Sequence, residues 1–425
     1  MKTVVHAQLK DDFFRPGEPE EIAAVRGIIE EVRAGGDRAL LRCTEKFDKV
    51  KVESLKVEES AIEKAWGGLD RDDRDALEAA AEAIRRFALR QMEGFADFEQ
   101  ELRPGVTCGQ RIVPIERIGV YAPGGKYPLP STVLMCAIPA RVAGAREIIL
   151  CSPPTHNASI HPAILAAAKI CGVSEIYRAG GAQAVAAMAF GTETIRPVDK
   201  IVGPGSRVVT AAKRLVFPGV GIDFIAGPTE VLIIADETAD PSLVAADLIA
   251  QAEHDENAEA VLVTHSDKLG SEVEKAIERQ LENLSTAPIA RTSLDRSGLI
   301  VMVDNVDQAV DVANRKAPEH LLLAVEKPDD YIGRLRNYGT LFIGQWSGVT
   351  LGDYTSGLNH TLPTSGCARY TGGLGVKDFL KVQTTLRVTP EGLRSIGPAA
   401  KILGGLEGLE AHARSIDMRL RKLGA

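Results

Sequence analysis

The sequence predicts an α/β fold in which two units, each a parallel sheet covered by helices, share one chain. Three observations carry that expectation. Short apolar runs alternate with helical stretches from Ile112 to Gly205, with Gly or Pro between them. A second alternation follows in VLIIAD, PSLVAADLIAQAEH, AEAVLVTHS, GLIVMV, LLLAV and TLFIG. The chain of 425 residues also exceeds the roughly 100 to 200 residues of a single domain.

In chain order, EEIAAVRGIIEEVRAGG has apolar residues at helical spacing and stops at a Gly pair, and RDDRDALEAAAEAIRRFAL continues the helical theme after a strand-like piece. RIGVYAPGG, STVLMCAIPARVAG, EIILCSPP, HPAILAAAKICG, EIYRAGG, AVAAMAFG and KIVGPG then read strand, helix, strand, helix. In the second unit, Asp240 and Pro241 make an N-cap and first helical residue. After Phe342 comes a long irregular stretch rich in Gly, Ser, Pro and Thr, of a length that is usually functional or disordered; its Asp, His, Tyr and Arg content favours function. The last helix carries Leu406, Leu409, Ala413, Ile416 and Leu420 as one apolar stripe, which needs a surface to cover.

Composition narrows the function classes. A net charge of −8, with no long Lys or Arg run, argues against nucleic acid. The N-terminus lacks the apolar core of a signal peptide, and no stretch reaches the roughly 18 to 20 apolar residues of a membrane span, so the expected location is the cytoplasm. The six cysteines are scattered, without a CxxC pair, and read as reduced thiols. Metal ligands would therefore come from His, Asp, Glu or Gln.

Four histidines stand in chemically suggestive company. Gln251 lies three residues before His254 and points from the same helix face, although this pair alone reads as a polar helix end in water. Glu319 and His320 precede an apolar strand, where a carboxylate and an imidazole could divide proton work; a bland surface pair reads equally well. Asp353 and His360 share the long loop and could ligate a cation or hold a substrate. His412 sits beside the apolar stripe of the last helix with Glu407 nearby, a setting that by itself favours packing. The glycine-rich turns YAPGGKYPLPS and VGPGS follow strand-like runs and leave backbone N–H groups near helix starts, and AGGAQ places Gln183 at such an edge. Neither turn is GxGxxG.

Taken together, RIGVYAPGGKYPLPSTVLM, AGGAQAVAAMAFGTE, KIVGPGS, IAGPTEVLIIAD, QAEHDENAEAVLVT, NRKAPEHLLL, GDYTSGLNHTLPTSG and LEAHARS resemble the histidinol dehydrogenase family, in the same order and across nearly the whole chain. The resemblance implies a domain-exchanged homodimer whose subunits each carry two incomplete Rossmann-like α/β domains. Its divisions are an N-terminal helical segment over 1–27, a first α/β domain over 28–118 and 230–373, an NAD-binding second domain over 119–229, and a helical tail over 374–425 that reaches the partner subunit. It further implies one zinc per subunit on Gln251, His254, Asp353 and His412, with Glu319 and His320 as the catalytic pair. Thr229, His360 and Glu407 match positions that contact substrate, together with His320 and the four zinc ligands. Tyr121, Gln183 and Ser206 match positions that contact NAD.

The implied activity is zinc-dependent, NAD-linked oxidation of L-histidinol to L-histidine through the aldehyde. The alternative is a paralogous dehydrogenase acting on another polyfunctional alcohol, such as a sulfonated propanediol. Lys126 and Arg369 are the cations that would serve such an anion, whereas His360 and Glu407 suit an imidazole-bearing cation. Two residues depart from the family pattern. Ser206 stands where Asn is usual, with a shorter reach and no amide, and Thr229 stands where Ser is usual, keeping the hydroxyl and adding a methyl.

Overall fold

The computed structural model describes residues 1–14, 22–124, 127–225 and 227–424. Its strands are β1 (Lys2–Val5), β2 (Phe98–Arg103), β3 (Val106–Pro114), β4 (Arg117–Tyr121), β5 (Glu147–Ser152), β6 (Glu175–Arg178), β7 (Lys200–Val202), β8 (Gly221–Ile222), β9 (Glu230–Ala235), β10 (Glu259–Thr264), β11 (Leu299–Met302), β12 (His320–Ala324), β13 (Thr340–Ile343) and β14 (Leu380–Val388). Five form a parallel sheet in the order β6-β5-β4-β7-β8, and six form a second parallel sheet in the order β1-β11-β10-β9-β12-β13. The mixed α/β architecture read from the alternating runs is the one observed.

Neighbouring residues of a strand feed opposite faces. Val231, Ile233 and Ala235 of β9 pack under the helices Pro241–Ala252, Asp267–Leu281 and Ala287–Ser297, while Leu232 and Ile234 pack under Val306–Lys316. Burial on both faces explains why these strands read as unbroken apolar runs. Strand order reverses between β9 and β12 in the larger sheet and between β4 and β7 in the smaller, which makes a switch point in each.

The division into domains differs from the expected one. The helices Ile22–Phe47, Glu59–Gly68 and Arg71–Met92 pack on the five-stranded sheet: Val25, Ile29 and Leu40 join Tyr121 and Ile149 in one core, and Ala65, Ala81 and Ile84 join Ile118 and Val120 in another. Residues 28–118 therefore do not belong with 230–373, because helical periodicity reports that a face is buried and not which sheet buries it. The Gly pair ends the first helical run as expected, and a second run continues across the kink to Phe47. Gly36 has φ 53, and a side chain there would collide with the Glu193 carboxylate that accepts from Asp37 N.

Both ends of the chain also contain strands where helix alone was expected. β1 adds to the edge of the six-stranded sheet beside β11. β14 pairs antiparallel with β3, which pairs with β2, in a third sheet whose β2 and β14 are almost wholly exposed. The helices Pro390–Leu406 and Glu410–Lys422 follow and pack on each other; Leu420 is buried against Gly397, but Ile402, Leu403 and Leu406 are exposed. The stripe expected on the last helix is thus only partly covered within one chain. Among the described residues no helix is long and apolar enough to cross a membrane.

Candidate active site

The two sheets meet across a cavity of about 250 Å³. Pro204, Gly205 and Arg207, which follow β7, line one side, and Glu319 and His320, which lead into β12, line the other. The carboxyl edge of the smaller sheet therefore faces the amino edge of the larger one. Helix Pro241–Ala252 crosses over between the parallel strands β9 and β10, so its C-terminal end lies at that same amino edge and delivers Gln251 and His254. Asp240 starts it by accepting from Ser242 N at 2.8 Å.

Glu319 and His320 are both buried. Glu319 Oε2 accepts from Thr229 Oγ1 at 2.5 Å and from Glu230 N at 2.9 Å. Burial pushes its carboxyl up to about 7, against the pull of His320 and these two hydrogen bonds. His320 Nδ1 lies 3.2 Å from the Glu230 carbonyl oxygen. A carbonyl only accepts, so Nδ1 carries a proton and Nε2 faces Asp353 Oδ1 at 3.4 Å without a hydrogen bond. Burial alone would lower the His320 pKa, but the charges of Glu319 and Asp353 outweigh it and raise it to about 9.

Across the cavity, burial holds the His254 pKa below its ordinary value, with Asp353 opposing, so its imidazole is neutral. Asp353, on helix Val349–Tyr354, stays ionised: burial opposes the charge, and the neighbouring His320, His360 and His254 outweigh it. Gln251 Nε2 donates to Thr229 Oγ1 at 2.5 Å, which leaves Oε1 as the free end of the amide. Thr229 thus accepts from Gln251 and donates to Glu319. His360 Nε2 sits 3.1 Å from Ser131 Oγ and 3.5 Å from Thr132 Oγ1 at the start of helix Pro130–Ala143.

The structure brings Thr229, Gln251, His254, Glu319, His320, Asp353 and His360 together. It does not bring Glu407 or His412 to them, because both lie exposed on the tail. Among the described residues no group of three His, Cys, Asp or Glu side chains is placed to hold a metal. The donors one chain offers are a neutral imidazole, an ionised carboxylate and an amide oxygen. That set suits zinc by chemistry and lacks a fourth protein ligand.

Tyr121 and Gln183 are buried at the carboxyl edge of the smaller sheet, where Tyr121 Oη accepts from Gly181 N at 3.2 Å and Gln183 Nε2 reaches Asp48 Oδ2 at 3.4 Å. Gly203, at φ 117, lets its loop pass the Tyr121 carbonyl, where a side chain would collide. Ser206 is exposed at the start of helix Arg207–Val216 and makes no capping bond. Arg369 donates to the carbonyls of Gly366, Phe14 and Arg315, and Lys126 lies outside the described residues.

Asp247 escaped the sequence reading. It lies four residues before Gln251, and its carboxylate accepts from Val349 N at 3.3 Å, tying the helix of Gln251 to the helix of Asp353. Burial pushes its carboxyl up to about 6. Its i, i+4 relation to Gln251 was the available signal.

The family model for histidinol dehydrogenase matches residues 17–420. The histidinol dehydrogenase of Methanothermobacter thermautotrophicus is 50% identical over 400 residues, which cover 94% of this chain and 93% of the relative. That of Agrobacterium fabrum is 49% identical over 400 residues, covering 94% and 92%. The crystal structure of histidinol dehydrogenase from Elizabethkingia anophelis superposes with a TM-score of 0.94 at 39% identity, covering 100% of this chain and 99% of that one. The alternating strands and helices, a buried Glu-His pair at a strand entrance and these matches over the whole fold have one reading: the chain belongs to the histidinol dehydrogenase family.

Proposed function

We propose that this protein oxidises L-histidinol to L-histidine in two NAD-linked steps by way of the aldehyde. The observation that carries the reading is the buried Glu319–His320 pair, facing Asp353 and His254 across one cavity. When bound by Gln251, His254, Asp353 and the partner subunit's His412, zinc would supply a positive charge that holds substrate nitrogens and offsets the Asp353 carboxylate. NAD would lie along the carboxyl edge of the smaller sheet, near Tyr121, Gln183 and Ser206, and supply the acceptor for one hydride per step.

His320 takes the hydroxyl proton at Nε2 in the first step, oriented by the Glu230 carbonyl at Nδ1. Against burial, the Glu319 and Asp353 charges hold its pKa up to about 9 in the metal-free chain, and zinc on Asp353 would offset the second charge and free Nε2 to accept. Glu319 takes a proton from water as its oxygen adds to the aldehyde carbon in the second step. One water is consumed and two hydrides leave per histidinol. His360 holds the substrate from the far wall. Arg369, turned to backbone carbonyls, adds no support for a sulfonated substrate.

The tail of one subunit would complete the other subunit's site with His412 and Glu407, in a domain-exchanged homodimer. Exposed Leu403, Leu406 and Met418 support that reading, because a solitary helix pair gains little by leaving them in water. Truncation before Leu406 should abolish NADH formation, measured alongside mass in solution. A fully active truncated monomer refutes the shared site.

A finer prediction concerns Thr229. Its replacement by Val removes the hydroxyl that joins Gln251 to Glu319. Turnover should fall about 10- to 100-fold, with weaker zinc retention on dialysis against a chelator. Unchanged zinc retention and turnover would show that the hydroxyl is idle. The reading as a whole is tested by counting NADH: two per histidinol with histidine as product supports it, and none with histidinol overturns it.

A further inference from the structure

We infer that Lys316 and Glu230 form a buried positioning pair that fixes the aim of Glu319 and His320; this rests on the dehydrogenase reading above. Lys316 closes helix Val306–Lys316, and its Nζ lies 2.9 Å from Glu230 Oε2 and 2.6 Å from Glu259 Oε2. The side chains of Lys316 and Glu230 are each 3% exposed, deep enough that the pair is an expensive way to pack a helix on a strand.

Three polar groups of Glu230 serve the catalytic pair or the wall beside it, and the fourth takes Lys316. Its N–H donates to Glu319 Oε2 at 2.9 Å, and its carbonyl lies 3.2 Å from His320 Nδ1. Its Oε1 accepts from Ser365 N at 2.9 Å, next to Thr361, Leu362 and Thr364 of the cavity wall. Its Oε2 takes Lys316. The position of Glu230 therefore sets the direction of both the carboxylate and the imidazole.

Lys316 holds the other approach to the pair. Directly after it, Ala317 has φ 54 and is buried, a left-handed turn that a residue with a Cβ rarely adopts. This turn swings the chain through Pro318 into Glu319 and β12. It is anchored behind by the Lys316 ion pair and ahead by Gly339 N donating to the Pro318 carbonyl. Losing the ion pair frees the turn on one side and the foot of β9 on the other, and both ends of the Glu319 hydrogen-bond set shift together.

The test uses the zinc-loaded protein with L-histidinol and NAD, with kcat expressed per bound zinc. Glu230→Gln keeps the volume and the acceptor for Ser365 N but removes the charge. We expect kcat to fall about 10- to 100-fold, with both KM values within about twofold of the parent. Adding Lys316→Met should cost little more, because the two act as a unit. A merely structural pair would lower the melting temperature and leave kcat per zinc unchanged, and that result overturns the inference. Where Glu230→Gln does not melt cooperatively, Glu230→Asp decides: a fall of about fivefold supports the pair, and parental kcat overturns it. Failure of both to fold also overturns it, since the pair would then be structural. A parent that makes no NADH from histidinol sinks the reading and this inference with it; a working parent with equally working variants sinks the inference alone.

Discussion

Replacing His254 with Asn should strip zinc from the purified protein and lower turnover by on the order of a thousandfold. The imidazole lines the cavity with its surface exposed, and its lowered pKa keeps it neutral, the protonation state a metal requires of it. Asn cannot place a comparable nitrogen lone pair at that distance from its backbone. Of the proposed ligands Gln251, Asp353 and the partner subunit's His412 would remain, and the set would lose one of its two imidazoles and with it the closed four-ligand shell. The loss follows from metal charge and substrate orientation together, several kcal/mol at about 1.4 kcal/mol per tenfold. Elemental analysis beside a rate assay decides it. Zinc at one per subunit in the variant would remove His254 from the ligand set and leave it a wall of the cavity.

Glu319→Gln should separate the two half-reactions. Gln can still accept from Thr229 and from Glu230 N, so the local fold is kept while the base is lost. Water activation belongs to the aldehyde step, which should slow about 100- to 10,000-fold when L-histidinal is supplied directly. Alcohol oxidation, which draws on His320, should fall much less. The parent should show a pH dependence of matching sign, measured as the rate of L-histidinal oxidation against pH. Only the ionised carboxylate takes a proton from water, so with a pKa raised to about 7 the aldehyde step gains as pH rises through that region. Equal losses in both half-reactions would contradict the division of labour.

Much of this was legible in the residues themselves. β9, β10 and β12 are buried on both faces, so each appears as an apolar run, and runs punctuated by helices are read as parallel sheets. Glu319 and His320 were legible as a polar pair at a strand entrance. Their burial was not, because it depends on Thr229 and Glu230 arriving from a strand far earlier in the chain. The antiparallel sheet was missed although β14 alternates Val382, Leu386 and Val388 with Lys381, Gln383 and Arg387; its apolar residues, with Phe98 and Leu102 of β2, lie exposed rather than in a core of the chain. The helices before Glu93 showed their apolar faces plainly, but a face does not name its partner. His412 shows the limit of reading one chain, since its neighbours within the chain are those of an ordinary surface histidine.

The opposed sheet edges have a consequence for turnover as a sequence of events. A four-electron oxidation with a two-electron carrier requires the carrier to be exchanged midway while a reactive aldehyde stays behind. In this fold the residues proposed for the carrier hang from the carboxyl edge of one sheet, and those proposed for the substrate hang from the amino edge of the other. No strand contributes to both grips. The carrier's berth can therefore empty and refill without loosening the hold on the half-oxidised intermediate, a separation that a cleft built on a single sheet would not provide.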